Sequence, residues 1–384
     1  MTIKVSKPAI NIREELADLK QDTGLKGQEL MRANTAQEAR TAISAGRKNL
    51  IINGAMRVDQ RNAAAATIAT GYAVDRFTYG QAAISTGVIT AQQVSDAPAG
   101  FDKSLKLTVT TADTSLAAGD WYDISHTLEG NNTAHLKWGT SEAKDVTLSF
   151  WVKASVVGTY GMELRSTQGT SVSYTFDYEV PNIGWNKIEQ QIPGSTIGTW
   201  DTDNSANLCF IIPIGTGSTY STTTTDVWQT GNYNASTSVI NLLATVNATF
   251  QITGFQLEVG SVATEFEHRS YGEELALCQR YLYVIDGATG GDRVGDAFSY
   301  STTGVVATIP FPVKMRAKPT LEGTPSQLTF NDSIAGTDSS AISLNSSNTH
   351  FGSLSVTVSA TAFHGGQVYF TNTAANTIIF KAEI

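Results

Sequence analysis

The residues of this 384-residue chain best suited to chemistry are aromatic rings set among aspartates and asparagines. Trp121 and Tyr122 sit in 119-GDWYDIS-125, and Trp200 sits in 198-GTWDTDN-204. Tyr220, Trp228 and Tyr233 lie in the Ser/Thr-rich stretch 217-GSTYSTTTTDVWQTGNYNAST-237. A flat ring stacks on the apolar face of a sugar, and planar amides and carboxylates bind its hydroxyls. Long loops on a rigid scaffold are also where function concentrates. Trp121, Tyr122, Trp200, Tyr220, Trp228 and Tyr233 are therefore the candidate ligand contacts. Trp151 and Trp185 fall inside strand patterns and are expected to pack there, in the core or half-buried.

Catalysis has less support. Cleaving a glycosidic bond needs two carboxylates at a suitable separation. Glu163, Asp177, Glu179, Glu189, Glu258, Glu265 and Glu267 are available. The first four occupy polar strand positions, where a solvated face is the simpler expectation. The chain has no G-x-S-x-G, no G-x-x-x-x-G-K-[ST], and no G-x-G-x-x-G between a strand and a helix. His126, His135, His268, His350 and His364 have neither a Cys neighbour nor a Ser/Asp setting that suggests a triad. Without C-x-x-C or H-x-x-x-H spacing, neither a metal nor a cofactor is expected. The run 201-DTDN-204 begins like a calcium loop but lacks its later Gly and distal Glu, so an Asx turn is expected. Cys209 and Cys278 read as core thiols. The expectation is a binding protein, not an enzyme.

Charged residues make up 16% of the chain, against about a quarter in a usual soluble protein. The net charge is -9, which disfavours a phosphate-binding surface, so nucleic acid is not an expected partner. The opening MTIKVSKPAINIREEL lacks the apolar core of a signal peptide, and no run of about 18 apolar residues follows. The chain is expected to be made in the cytoplasm, with no membrane insertion.

Two kinds of element must position these residues. Residues 1–48 read as short helices. Ile12, Leu16 and Leu19 share one face, and 34-NTAQEARTAISAG-46 opens on a Thr35–Glu38 capping box with Ile43 in its apolar seam. So thin a seam needs a partner, which marks an attachment segment. From 49 onward alternation takes over, in 105-LKLTVT-110, 146-VTLSFWVKA-154, 172-VSYTFDYEV-180, 185-WNKIEQQI-192, 208-LCFIIPI-214 and 249-TFQITGFQLEV-259. Short strands separated by turn residues predict a sandwich or jelly roll over 49–270. A connecting helix is predicted over 271–284, opened by a Ser270–Glu273 capping box. A smaller β sandwich follows over 285–384. The fold class is mostly β.

The segments 49-NLIINGAMRVDQRN-62, 72-YAVDRF-77, 146-VTLSFWVKAS-155, 254-GFQLEVGSVATEFEHRSYGEELALCQRY-281 and 311-FPVKMRAKPTL-321 resemble bacteriophage tail-fibre and related virion proteins. In that family such motifs open and close a carbohydrate-binding-module-like jelly roll and lead into a tip domain. The chain departs from the pattern at Ala55–Met56, Arg61–Asn62 and Phe77. The resemblance implies a homotrimeric virion fibre held to other tail proteins through its N-terminus, with Ile12, Leu16, Leu19 and Ile43 as attachment residues. Its β domains would adsorb to host polysaccharide or lipopolysaccharide. The motifs themselves look architectural, so no family binding residue carries over. A stand-alone lectin-like module and a polysaccharide depolymerase are the alternatives.

Overall fold

The computed structural model describes residues 48–67, 70–82, 86–287, 292–322, 328–332, 336–371 and 376–384. The chain divides into a unit of residues 1–48 and a unit of residues 49–384, and the second is described here. The expected N-terminal helices, with Ile12, Leu16, Leu19 and Ile43, lie outside the described residues.

The chain is mostly β. The first half contributes β1 (Gly71–Val74), β2 (Phe77–Gln81), β3 (Val88–Val94), β4 (Ser104–Thr111), β5 (Trp121–Glu129), β6 (Val146–Ala154), β7 (Gly158–Ser166), β8 (Val172–Val180), β9 (Asn186–Ile192), β10 (Ala206–Thr216), β11 (Ser221–Thr222), β12 (Trp228–Thr230), β13 (Ala235–Ser236) and β14 (Thr249–Val259). Two antiparallel sheets, ordered β1-β2-β5-β10-β7-β8-β12 and β3-β4-β14-β6-β9, face each other across one apolar core. Strand alternation explains which residues fill it. In β6, Val146, Leu148, Phe150 and Val152 are fully buried, while Trp151 and Lys153 on the opposite face are only partly covered. Phe255 lies at the middle of this core, meeting Phe77 and Phe210 edge-on at 5.9 Å and Phe150 at 5.2 Å. The apolar run of β10 is central and buried on both faces, because residues 217–241 cross the outer face of its sheet.

The helix α1 (Tyr271–Gln279) follows, and Ser270 and Glu273 form its capping box. It ends well short of the expected 284. Leu282 already pairs with Lys381, and that ladder replaces the last helical turn. The second half contributes β15 (Leu282–Gly287), β16 (Arg293–Ser299), β17 (Gly304–Pro310), β18 (Thr320–Glu322), β19 (Leu328–Asn331), β20 (Gly336–Asp338), β21 (Ala341–Ser347), β22 (Phe351–Thr357), β23 (Gly365–Phe370) and β24 (Asn376–Lys381). They form antiparallel sheets ordered β15-β24-β18 and β20-β19-β23-β16-β17-β22-β21. Their shared core holds Leu328, Phe330, Leu354, Val356, Phe370 and Phe380. No helix of the described residues is long and apolar enough to cross a membrane.

The two halves meet through a small apolar cluster of Ile52, Val58, Cys278 and Tyr281, and through arginines. Buried Arg76 lies 3.6 Å from the Tyr281 ring centre, and its guanidinium donates to Glu383 Oε2 at 2.8 Å and to the Thr127 carbonyl at 2.6 Å. Burial is the largest influence and pulls its pKa down, but the Glu383 carboxylate together with Tyr281, Tyr72 and Cys278 outweighs it and holds the pKa above the ordinary value. Arg61 binds the other Glu383 oxygen at 3.1 Å. Arg280 meets fully buried Glu129 with two bonds, at 2.9 and 2.7 Å. Arg316 donates to the carbonyls of Ala382, Glu383 and Asn204. Arg269 donates to the carbonyls of Asn49 and Ile51 and pairs with Glu267 and Glu274. Beside this network, burial and Arg76 pull the His126 pKa down to about 3, so its imidazole is neutral.

Removing one partner of a buried ion pair leaves a charge without compensation, which costs about 3–5 kcal/mol. Glu383→Ala strands Arg76 in this way. It is expected to lower the unfolding free energy by about that much in urea at neutral pH. Arg76→Met, which removes the charge itself, is expected to cost less. Equal losses for the two variants would contradict the buried-charge account.

Candidate functional site

The β5–β6 and β9–β10 connections build a cleft. The first opens with a helical turn, Gly130–Thr133, and a tighter turn, Ala134–Leu136. The chain then reverses through left-handed Lys137 and Gly139, at φ 56° and 83°. The second connection is fastened to it. Gly130 N donates to the Ser205 carbonyl at 3.1 Å, Asn131 N to Asp203 O at 2.6 Å and Gly139 N to Ser195 O at 2.7 Å. Asn207, buried between the two, donates to Thr133 Oγ1 at 2.7 Å and accepts from Asp201 N at 2.8 Å.

Three indoles wall this junction of loops. Trp138 meets Trp200 edge-on at 4.9 Å and Trp228 at 5.2 Å, and Trp200 meets Trp228 at 5.6 Å. Tyr174 extends the group at 5.4 Å from Trp228. Each indole N–H is satisfied by main chain: Trp138 by Lys144 O, Trp200 by Ile197 O and Trp228 by Pro193 O. That fixes the rings and leaves carbon surface as what they offer a ligand. Gly139 and Gly198 make room for Trp200. A Cβ on Gly139 would lie 2.9 Å from its Cδ1, and one on Gly198 would lie 2.9 Å from Val172 and 3.4 Å from the indole nitrogen. Trp138 is buried, 6% exposed, whereas Trp200 and Trp228 are half-buried.

The cleft beside Trp138 and Trp200 has a volume of about 450 Å³, within the range of small-molecule sites. Leu136 and Ala134 complete its apolar wall. Lys137, Thr140, Ser141, Glu142, Asp201 and Thr202 supply its polar lining. Lys137 and Glu142 form an ion pair, and the hydrogen bond from Lys137 holds the Glu142 carboxyl below its ordinary pKa. Ser205 N donates to Asp203 Oδ1 at 2.7 Å, the Asx turn expected of 201-DTDN-204. Among the described residues, no group of three or more His, Cys, Asp or Glu side chains could hold a metal ion.

The sequence candidates divide. Trp200 and Trp228 come together. Tyr122 is fully buried in the core, donates to Asp113 Oδ2 at 2.9 Å and accepts from Gly87 N at 2.6 Å, so no ligand reaches it. Its strand turns it inward, and the half-buried ring of the preceding Trp121 lies against Gly80 instead. Tyr220 and Tyr233 are half-buried on the crossing segment, where Tyr220 O accepts from Asn234 N and Tyr233 O from Thr175 Oγ1. Trp138, which the sequence places at a strand end before Gly139, was not among the candidate contacts. Its signal was the following glycine, which permits the reversal that places the ring.

The carboxylate expectation also needs correction. Glu163 is not on a solvated face but fully buried, because residues 226–236 cover it. Its Oε1 lies 2.6 Å from Ser173 Oγ, and burial pushes its pKa up to about 7. Asp123 nearby is likewise pushed up to about 7 by burial. Both cysteines are buried and free.

No protein-family model matches the chain. No curated protein matches it either. Solved structures give distant likenesses. The enzymatically active domain of tailspike protein 4 of bacteriophage CBA120 aligns at 13% identity and TM-score 0.31, over 55% of this chain and 21% of its own. The family 11 carbohydrate-binding module of a Clostridium thermocellum cellulosomal cellulase aligns at 12% identity and TM-score 0.27, over 53% and 99%. A tandem pair of family 22 modules from Paenibacillus barcinonensis aligns at 11% identity and TM-score 0.26, over 79% and 93%. The chain therefore spans about a fifth of the tailspike domain. At TM-scores this low, none of these likenesses carries an argument about the chain.

The buried and the open indole should behave differently. Trp138→Ala is expected to cost about 3–5 kcal/mol of stability, as an emptied core site does. Trp200→Ala is expected to cost about 1 kcal/mol, the worth of its aromatic contacts. Urea unfolding of both variants checks the order, and a larger loss for Trp200→Ala would contradict the geometry.

Proposed function

We propose that this chain binds glycans, and that it does so as a non-enzymatic fibre protein of a bacteriophage virion adsorbing to a host surface. One observation carries the binding part: a cleft of about 450 Å³ whose wall is indole carbon and whose lining is hydroxyl, carboxylate and ammonium groups. A sugar presents both surfaces, apolar C–H faces and hydroxyl edges, and this lining answers both. In this reading Trp200 is the stacking platform, Trp138 and Trp228 hold it, and Asp201, Thr202 and Thr140 take the hydroxyls. The first sandwich acts as the carbohydrate-binding jelly roll.

The virion part is supported by the sequence resemblance of 49–62, 72–77, 254–281 and 311–321 to phage fibre proteins. The fibre would be a homotrimer held at its N-terminus by other tail proteins. Several linked copies let a weak single site hold a cell, because tethering raises the effective concentration of the rest. Host polysaccharide or lipopolysaccharide is the ligand class.

Titration calorimetry with a panel of bacterial surface polysaccharides tests the reading. At least one glycan is expected to bind, and Trp200→Ala is expected to weaken it by about tenfold or more, a loss of about 1.4 kcal/mol. The bound glycan is expected to show no new reducing ends. Binding unaffected by Trp200→Ala would remove the cleft from the account, and new reducing ends would replace adsorption with depolymerisation. Light scattering of the whole chain is expected to give about 123 kDa, three times its 41.0 kDa mass, and a monomer would end the trimeric fibre.

A further inference from the structure

The segment that carries Trp228 is fastened to the sheet from below. β12 pairs with β8, placing Trp228 opposite Tyr174 and Gln229 opposite Ser173. Past it, side chains of the sheet take over. Thr175 Oγ1 donates to Tyr233 O at 3.0 Å, Ser236 Oγ to Asp177 Oδ2 at 2.7 Å and Asn234 Nδ2 to Asp123 Oδ2 at 3.3 Å. At the middle is Ser173. Its Oγ lies 2.6 Å from Glu163 Oε1 and 2.7 Å from Gly231 O, and it accepts from Tyr233 N at 3.3 Å.

A serine hydroxyl has one proton to give. Glu163 Oε1 and Gly231 O are both acceptors unless the carboxyl is protonated. With an ionised Glu163, one of these two short contacts would set oxygen against oxygen. With a protonated Glu163, every bond closes: the acid O–H donates to Ser173 Oγ, Ser173 donates to Gly231 O, and Tyr233 N–H fills the remaining lone pair.

We infer that Glu163 is a carboxylic acid in the native fold, and that its proton latches residues 226–236, and with them Trp228, onto the sheet. This regulates the cleft proposed above and rests on that reading only for its use in binding. The groups that face Glu163 leave it poised. From its own strand, Arg165, engaged by Asn232, stands 3.6 Å from Oε2; at that distance it makes no hydrogen bond, but its charge pulls the Glu163 pKa down, by less than burial lifts it. β5 supplies Asp123, β8 supplies Ser173, Thr175 and Asp177, β10 supplies Cys209, and the crossing segment supplies Tyr233 and Asn234. Glu163 Oε2 has no hydrogen-bond partner among the described residues. Burial favours the neutral acid, with a midpoint at about 7.

The sign follows from linkage. An unlatched Glu163 titrates near its ordinary value and a latched one near 7, so the latched state binds the extra proton between the two. Its stability is fullest below the ordinary carboxyl range, falls as pH rises and levels off above the latched midpoint. Deprotonation also takes the Ser173 hydroxyl away from Gly231 O and places a charge under the segment. Trp228 then loosens from Trp138 and Trp200.

Hydrogen exchange of peptides covering 226–236, in the whole chain without ligand, reads the latch. After correction for intrinsic exchange, opening is expected to become roughly 40-fold easier between about pH 5 and about pH 7, the slope approaching tenfold per unit only between the two midpoints. Glu163→Gln, which keeps a donor to Ser173 and cannot ionise, is expected to abolish that rise, while Asp123→Asn is expected to retain the part due to Glu163. No excess rise in the wild type would overturn the latch. So would a rise that survives Glu163→Gln. Should that variant fail to fold, the side-chain carboxyl carbon signal of Glu163 in the wild type decides. A midpoint near 7 supports the latch, and one in the ordinary carboxylate range overturns it. Because no ligand is present, either result leaves the glycan reading to its own test.

Discussion

Arginine charge buried between two apolar bodies must be matched where it stands, and that requirement orders this molecule. An isolated guanidinium in such a place would cost several kcal/mol, so each arginine at the junction arrives with its carboxylate or its row of carbonyls. Arg76 takes Glu383, two residues past the end of the strand β24 that builds the second core. Arg280, at the end of α1, takes Glu129 at the end of β5. Arg316 reads the carbonyls of Ala382, Glu383 and Asn204. These bonds have fixed geometry, so they set position as well as strength. The lone helix between two β bodies has its explanation here. It delivers Glu274, Cys278 and Arg280 to the junction from one short rigid element.

The same constraint reaches the cleft. Glu129, gripped by Arg280, is the residue before the Gly130–Thr133 turn, and Asn204, held by Arg316 through two main-chain carbonyl contacts, belongs to the loop that carries Trp200. Both loops that wall the cleft are therefore fastened at their bases, one to the end of α1 and the other to the second β body. The indoles are then set by glycines at Gly139 and Gly198 and by main-chain acceptors for every indole N–H. A preorganised aromatic wall loses little entropy when a ligand arrives.

Much of the β architecture was legible because period-two alternation needs only the local sequence. The runs 146–154, 172–180 and 249–259 match the strand bounds, and 208–214 lies inside β10. The helix end was less legible, since what stops it is a ladder to Lys381, a hundred residues away in sequence. Among the candidate contacts, Trp200 and Trp228 were readable as loop aromatics, but Tyr122 was misread because its alternation phase turns it inward. Glu163 looked like a solvated strand position. Nothing local announces that residues 226–236 will cross above it. The motifs as a whole looked architectural, and the structure gives the reason: Asn49 donates to the Phe255 carbonyl inside the first sandwich, and Asn53, Arg76, Arg269 and Arg280 satisfy buried main chain or a buried charge near the junction.

The central claim, that the indole cleft is where a surface glycan sits, is most directly tested by following the six indole N–H signals of the whole chain by NMR as bacterial polysaccharide fragments are added. The account predicts shifts at Trp138, Trp200 and Trp228, with Trp151, on the far sheet, and Trp185, just before its strand β9, left in place. Shifts confined to Trp151 and Trp185 would contradict it and move the binding surface to the other sheet.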